Sequence, residues 1–375
     1  MAELDLNQLL AFCVKQGGSD MILKAGAAPV IRLHGDLVRM NLPPISREDS
    51  RKLAYQVLTA EQIEKFENNW ELDYAYEIPG IARFRCNIMV QRGLVTSVYR
   101  VIPYTIKTIE DLELPDICKR LSDHPRGLVL VTGPTGSGKS TTLAAMIDYV
   151  NSTRREHIMT VEDPLEFIHE DKLCVINQRE LGRDTISFAD ALKYVLRQDP
   201  DVILIGEMRD LETIGLAITA AETGHLVFGT LHTTNAVQTV DRVIDVFPPY
   251  QQQQIRMQVS VNLVGVLSQV LCKTVNGKGR VAAFETMEAL PSIRNLIREA
   301  KTHQIGSIIQ TGSKRGMQSL DQSLAYLVAQ GRADYESAKS KTNDQEEFEE
   351  ILSKARDQIK QNAADAAAPA AQHRR

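Results

Sequence analysis

Gly133-Pro134-Thr135-Gly136-Ser137-Gly138-Lys139-Ser140 decides how this chain is read. The apolar run Leu128-Val129-Leu130-Val131 precedes it, and Thr141-Thr142-Leu143-Ala144-Ala145-Met146-Ile147 follows. Strand, glycine-rich loop and helix in that order form the context of a phosphate-binding P-loop. Glycines let the backbone curl until several N–H groups face one phosphate, and the new helix aims its positive dipole end at the same place. Lys139 then reaches the β- and γ-phosphates, and the Ser140 hydroxyl ligates Mg²⁺. Gly133 to Ser140, with Thr141, are the candidate nucleotide-binding residues.

Working outward, Asp201-Val202-Ile203-Leu204-Ile205-Gly206-Glu207 predicts a strand buried on both faces, with Glu207 just past its C-terminal end. Ligands of open α/β sheets bind at that edge. Glu207 would hold Mg²⁺ through water or polarise the attacking water. A second acidic cluster, Thr160-Val161-Glu162-Asp163-Pro164-Leu165-Glu166, follows a strand expected at 157–161 and emerges at the same edge. Hydrolysis needs a carboxylate that orients water in line with the γ-phosphate, and Glu162 and Glu166 are both candidates. His225 and His232 bracket a strand expected at 226–230, at opposite ends, so His232 shares the edge with Glu207. Transition-state charge on a phosphoryl group is usually met by an arginine. The loop carries none; Arg83, Arg85 and Arg100 lie in strands of the first hundred residues.

The chain of 375 residues suggests two domains, and 43% hydrophobic residues suffice for sizeable cores. A net charge of -5 argues against a broad nucleic-acid surface, and no run reaches the ~18 to 20 apolar residues of a membrane span. The N-terminus lacks a signal-peptide pattern, so a cytoplasmic location is expected. The five cysteines show no CxxC spacing and read as small buried residues.

Residues 1–100 read as a mixed α/β domain, with a helix over 46–66, a hairpin around His34-Gly35-Asp36 and another around Gln91-Arg92-Gly93. Residues 101–118 read as a linker. Over 119–355, strands at 128–132, 157–161, 173–177, 202–206 and 226–230 alternate with helices, which implies a mostly parallel sheet. Beyond 250 the pattern is largely helical, with a strand pair around Asn276-Gly277. The Ala-rich stretch within 356–375 reads as a disordered tail.

These motifs in this order resemble the type IV pilus and type II secretion ATPases, and within that family the pilus retraction branch. The resemblance runs from about Gly18 to Gly331 and includes Gly17-Gly18-Ser19-Asp20, 133–140, 160–167, 201–207 and the span from Gly224-His225-Leu226 to Leu231-His232-Thr233. It implies a hexameric ring, with an N-terminal PAS-like α/β domain and a C-terminal RecA-like P-loop ATPase domain. It implies Glu166 as catalytic base, Glu207 as the acid of the Mg²⁺ site, and Arg85 and Arg100 reaching the nucleotide of a neighbouring subunit. Its histidines match His225 and His232. Ser292-Ile293-Arg294-Asn295-Leu296-Ile297-Arg298-Glu299 is similar to the retraction-specific helix motif, which usually begins with Ala.

The implied activity is ATP hydrolysis driving pilus retraction and twitching motility, with an inner-membrane platform protein as partner at the membrane's cytoplasmic face. The alternatives are an accessory retraction ATPase beside a sister motor, and a nucleotide-gated assembly partner with little hydrolysis. A RecA-like nucleic-acid translocase is disfavoured by the acidic balance.

Overall fold

The computed structural model describes residues 4–33, 36–102, 105–277 and 279–367. The expected hairpin tip at His34-Gly35, residues 103–104 of the expected linker, and residues 1–3, 278 and 368–375 lie outside them. The chain divides into two compact units, Met1–Thr105 and Ile106–Arg375.

The first unit contains helix α1 (Leu6–Lys15), strands β1 (Asp20–Lys24), β2 (Val30–Leu33) and β3 (Asp36–Arg39), helices α2 (Arg47–Tyr55) and α3 (Ala60–Asn69), and strands β4 (Glu71–Ile78), β5 (Ala82–Gln91) and β6 (Leu94–Ile102). The strands form one antiparallel sheet in the order β3-β2-β1-β6-β5-β4. Strand alternation sorts its faces: Phe84, Cys86 and Ile88 are buried while Arg85 is exposed. The β5–β6 turn places Arg92 at φ 51° and Gly93 at φ 73°, as a two-residue hairpin of matching twist requires. The single helix expected over 46–66 is two. Thr59 and Gln62 form a reciprocal capping box that starts α3 afresh, satisfying backbone donors that a continuous helix would not expose.

The second unit contains α4 (Ile117–Ser122), β7 (Gly127–Thr132), α5 (Lys139–Thr153), β8 (His157–Glu162), β9 (Val175–Glu180), α6 (Phe188–Val195), β10 (Val202–Ile205), α7 (Leu211–Glu222), β11 (Leu226–Leu231), α8 (Ala236–Asp245), α9 (Pro249–Asn262), β12 (Leu263–Lys273) and β13 (Arg280–Glu288). Helices α10 (Pro291–Arg298), α11 (Ile305–Thr311), α12 (Leu320–Ala329), α13 (Tyr335–Lys339) and α14 (Gln345–Ala367) follow. The sheet order is β13-β12-β7-β11-β10-β8-β9, and its strands are parallel except β13. Every residue of β7, β10 and β11 is buried, which is why these strands are predominantly apolar. The fold class is therefore α/β with two sheets, the larger one carrying the P-loop.

Three segments of the second unit differ from the sequence reading. Strand β12 begins at Leu263, inside the stretch expected to be helical; its wholly apolar start has no period to separate strand from helix. Ile109, Leu114, Ile117 and Cys118, within the expected linker, are buried in the second unit's core. That segment is turn plus short helix, so it shows no repeat. Helix α14 runs to Ala367, into the stretch read as a tail; alanine has the highest helix propensity, and Phe348, Leu352 and Ala355 anchor the first half. The five cysteines are free and buried. Among the described residues no helix is long and apolar enough to cross a membrane.

Candidate active site

Strands β7, β8, β10 and β11 run parallel, so their C-terminal ends share one edge, with β11 between the P-loop strand and β10. The loop after β7 is shaped by what leaves no room for side chains. A Cβ on Gly133 (φ 141°) would lie 2.3 Å from the Gln269 carbonyl oxygen. Gln269, buried on β12, donates from Nε2 to the Ser137 carbonyl at 2.6 Å. Gly138 at φ 90° turns the chain into α5, whose first residue is Lys139. Lys139 donates from Nζ to the carbonyls of Gly133 (2.8 Å) and Pro134 (3.3 Å). Burial pushes its pKa down, while Glu207 and Glu166 pull it back up. The Ser137 hydroxyl is buried without a hydrogen-bond partner. A half-buried cation, an unpaired hydroxyl and a cradle that a Cβ would fill fit a bound phosphate.

Glu207 follows Gly206, where a Cβ would sit 3.0 Å from Glu162 Cα; glycine lets the ends of β8 and β10 close together. Arg209 donates from Nη2 to Glu207 Oε2 at 2.6 Å, and its Nε pairs with Oε1. His232 Nε2 lies 3.0 Å from the same Oε1. The Arg209 hydrogen bond, more than its charge or that of His232, holds the Glu207 carboxyl below its usual range.

Glu162 faces inward. The Thr160 hydroxyl donates to its Oε1 at 2.7 Å and Gln178 Nε2 lies at 3.4 Å. Burial pushes its pKa up to about 7. The same Gln178 donates to the Phe167 carbonyl (2.9 Å) and accepts from the His169 N–H (2.8 Å), clamping the turn that carries Glu166. A carboxyl raised from 4.5 to about 7 gives stability that is full below pH 4.5 and lost as pH rises through 7. Over that window the native chain should lose up to about 3 kcal/mol relative to Glu162→Gln. Denaturant unfolding of both chains at pH 5 and pH 8 checks this; an equal difference at both values refutes it.

Lys139, Ser140, Glu162, Glu166, Glu207 and His232 line one cavity of about 510 Å³ at this edge. A second cavity of about 950 Å³ continues from it and shares Gly138, Thr141 and Arg280. Arg209 and Arg280 also line the smaller cavity. The sequence reading, which looked for arginines only in the first hundred residues, missed both, along with Gln178 and Gln269. Arg209 had a signal, since it follows Glu207 by two residues at the same edge. The others depend on tertiary pairing.

His225 lies at the other end of β11, about 20 Å away along six residues of strand. Its Nδ1 is 2.9 Å from the Ala220 carbonyl, closing the end of α7. Arg85 and Arg100 belong to the first unit and are direct cross-strand partners on its exposed face. Arg100 donates from Nε to Asp20 Oδ1 at 2.9 Å, and Arg32 pairs with Asp20 Oδ2 at 3.6 Å. The register aligns Arg32, Asp20, Arg100 and Arg85 as one row across four strands. Arg83 is buried on β5.

The chain is 54% identical to the type IV pilus retraction ATPase PilT of Pseudomonas aeruginosa, over 92% of this chain and all of that one. It is 42% identical to the type IV pilus ATPase PilU of the same organism, over 89% of this chain and 88% of that one. A crystal structure of the pilus retraction motor PilT with bound ADP superposes with a TM-score of 0.87 at 45% identity, covering 93% of this chain and all of that one. Residues 104–352 match the type II/IV secretion system protein family, and the chain belongs to that family.

Proposed function

We propose that this chain is an ATP-hydrolysing motor that powers type IV pilus retraction. The observation that carries the reading is the convergence of Lys139, Glu166, Glu207 and His232 on one cavity at the P-loop edge. The higher identity to PilT than to PilU, 54% against 42%, supports the retraction motor over an accessory ATPase.

Loop N–H groups and Lys139 bind the phosphates, and the larger cavity receives the base and ribose. Ser140 and Glu207 would hold Mg²⁺, which would neutralise phosphate charge. Glu166, exposed to the cavity, orients and deprotonates water, while Glu162 is turned to Thr160 and Gln178 and sets the floor beneath it. His232 reads the state of Glu207 through their hydrogen bond. His225 keeps a place at the far end of β11.

Arg85 and Arg100 act on the nucleotide of a neighbour. A contact in which one subunit's arginines serve the next subunit's site is head-to-tail, and such contacts close into a ring when the rotation between subunits divides a full turn, here a homo-hexamer. ATP favouring one arrangement of the two units, and hydrolysis releasing it, turns each cycle into displacement of an inner-membrane platform protein at its cytoplasmic face. A sister retraction ATPase would join this ring as a companion. Steady-state phosphate release, measured together with size in solution with and without nucleotide, tests the proposal. A strictly monomeric active enzyme overturns the ring, and a chain of any size without ATPase activity overturns the motor.

A further inference from the structure

We infer that Arg209 is the site's own phosphate-directed cation, stored on Glu207 and transferred to the terminal phosphoryl group when a nucleoside triphosphate binds. The inference rests on the ATPase reading above and adds a catalytic residue from the same chain beside the arginines proposed to come from a neighbour.

Arg209 grips both oxygens of Glu207, a fork that matches a carboxylate as closely as it would a phosphate. The backbone between them is fixed. Met208 is buried, its N–H donates to the Thr230 carbonyl at 3.1 Å, and its sulfur packs where a Cβ on Gly229 would lie 2.9 Å away. Glu207 and Arg209 both line the cavity that holds Lys139 and Glu166. The Arg209 side chain is 72% exposed while that of Glu207 is 20% exposed, so the acid is anchored and the cation can move.

Glu207 has two oxygens, and Oε1 also meets His232. A carboxylate gripped by a guanidinium fork on both oxygens and by an imidazole on one has little capacity left for a hydrated metal ion. Its use in the Mg²⁺ site therefore requires Arg209 to leave. The displaced guanidinium stays tethered two residues away, beside a new anion of higher charge. Asp163 adds a weak pull on the same group and offers no comparable fork. An exposed ion pair as such adds almost nothing to stability, so stability alone gives Arg209 no reason to occupy this cavity.

The test uses Arg209→Gln and Arg209→Lys in the full chain, with Mg²⁺ present. Steady-state ATPase gives turnover, and calorimetric titration gives affinities for ADP and for the non-hydrolysable analogue AMP-PNP, which has a terminal phosphoryl group. Arg209→Gln should lower kcat by about 100-fold or more, as loss of a preorganised transition-state donor does. It should cut the preference for AMP-PNP over ADP by roughly tenfold and leave ADP affinity within about twofold. Arg209→Lys, which keeps the charge without the fork, should fall between. Turnover retained within about threefold, turnover that rises, or equal losses of AMP-PNP and ADP affinity would each overturn the inference. A wild-type chain that hydrolyses no ATP would overturn the ATPase reading instead; the AMP-PNP preference still decides the case for Arg209.

Discussion

Lys139→Ala should yield a folded chain whose ATP turnover is lost, by about 100- to 1,000-fold or more. The lysine opens α5, half-buried, with its ammonium on the carbonyls of Gly133 and Pro134. Those carbonyls belong to the loop itself, so the side chain already lies along the wall that a phosphate would occupy. Burial costs the charge solvation, and the acids of the site, Glu207 and Glu166, offset part of that cost. An alanine here removes the cation that the loop sets against the phosphates. The fold should persist, because the core beneath α5 is built from Leu143, Met146, Ile147 and Val150. Phosphate release and nucleotide titration on the purified variant, with circular dichroism as the control, measure the effect. Turnover near the wild-type rate in a folded Lys139→Ala chain would sink the proposed function.

The second large effect is one of complementation. Arg100→Ala alone should be nearly inactive, since an arginine delivered to a transferring phosphoryl group is worth roughly 10³- to 10⁵-fold. Lys139→Ala alone is inactive for the reason above. Co-expressed in equal amounts, the two should recover activity together. A working site then needs an acceptor with Lys139 intact, which is the Arg100→Ala chain, and a donor with Arg100 intact, which is the Lys139→Ala chain. Random head-to-tail assembly meets both conditions at about a quarter of the sites, because each holds half of the time. Recovery towards that level, absent from either variant alone, is the expected result. A mixture as inactive as its parts would show that Arg100 serves its own chain or none.

Much of the second unit was legible because its determinants are local. Gly133 leaves no room for a Cβ and Gly136 and Gly138 turn at positive φ, and β7, β10 and β11 are largely apolar and wholly buried because both faces are covered. Glu207, Glu166 and His232 could be assigned to one edge because they follow such strands directly. What was illegible depends on partners distant in sequence. Gln269 buttresses the P-loop across 132 residues, from a strand whose apolar start looks equally like a helix. Gln178 reads as one polar residue in β9 until its hydrogen bonds to the turn bearing Glu166 are seen. The break at Thr59 was present in the sequence as a capping box, but an apolar pattern continuing on both sides masked it.

The row of Arg32, Asp20, Arg100 and Arg85 sets three cations against one carboxylate, so its face carries a local charge of +2 within a chain of net charge -5. Strand spacing fixes the intervals between these groups at about 4.8 Å, so they meet any polyanion as a set and not one at a time. Such a comb attracts small anions, which a triphosphate engaged by it would have to displace. With a screening length of about 8 Å at physiological ionic strength, the row's attraction is felt only over the last few ångströms of approach. In the proposed ring, engagement of this row would thus depend on the electrolyte around it, tightening in dilute salt and slackening in concentrated salt.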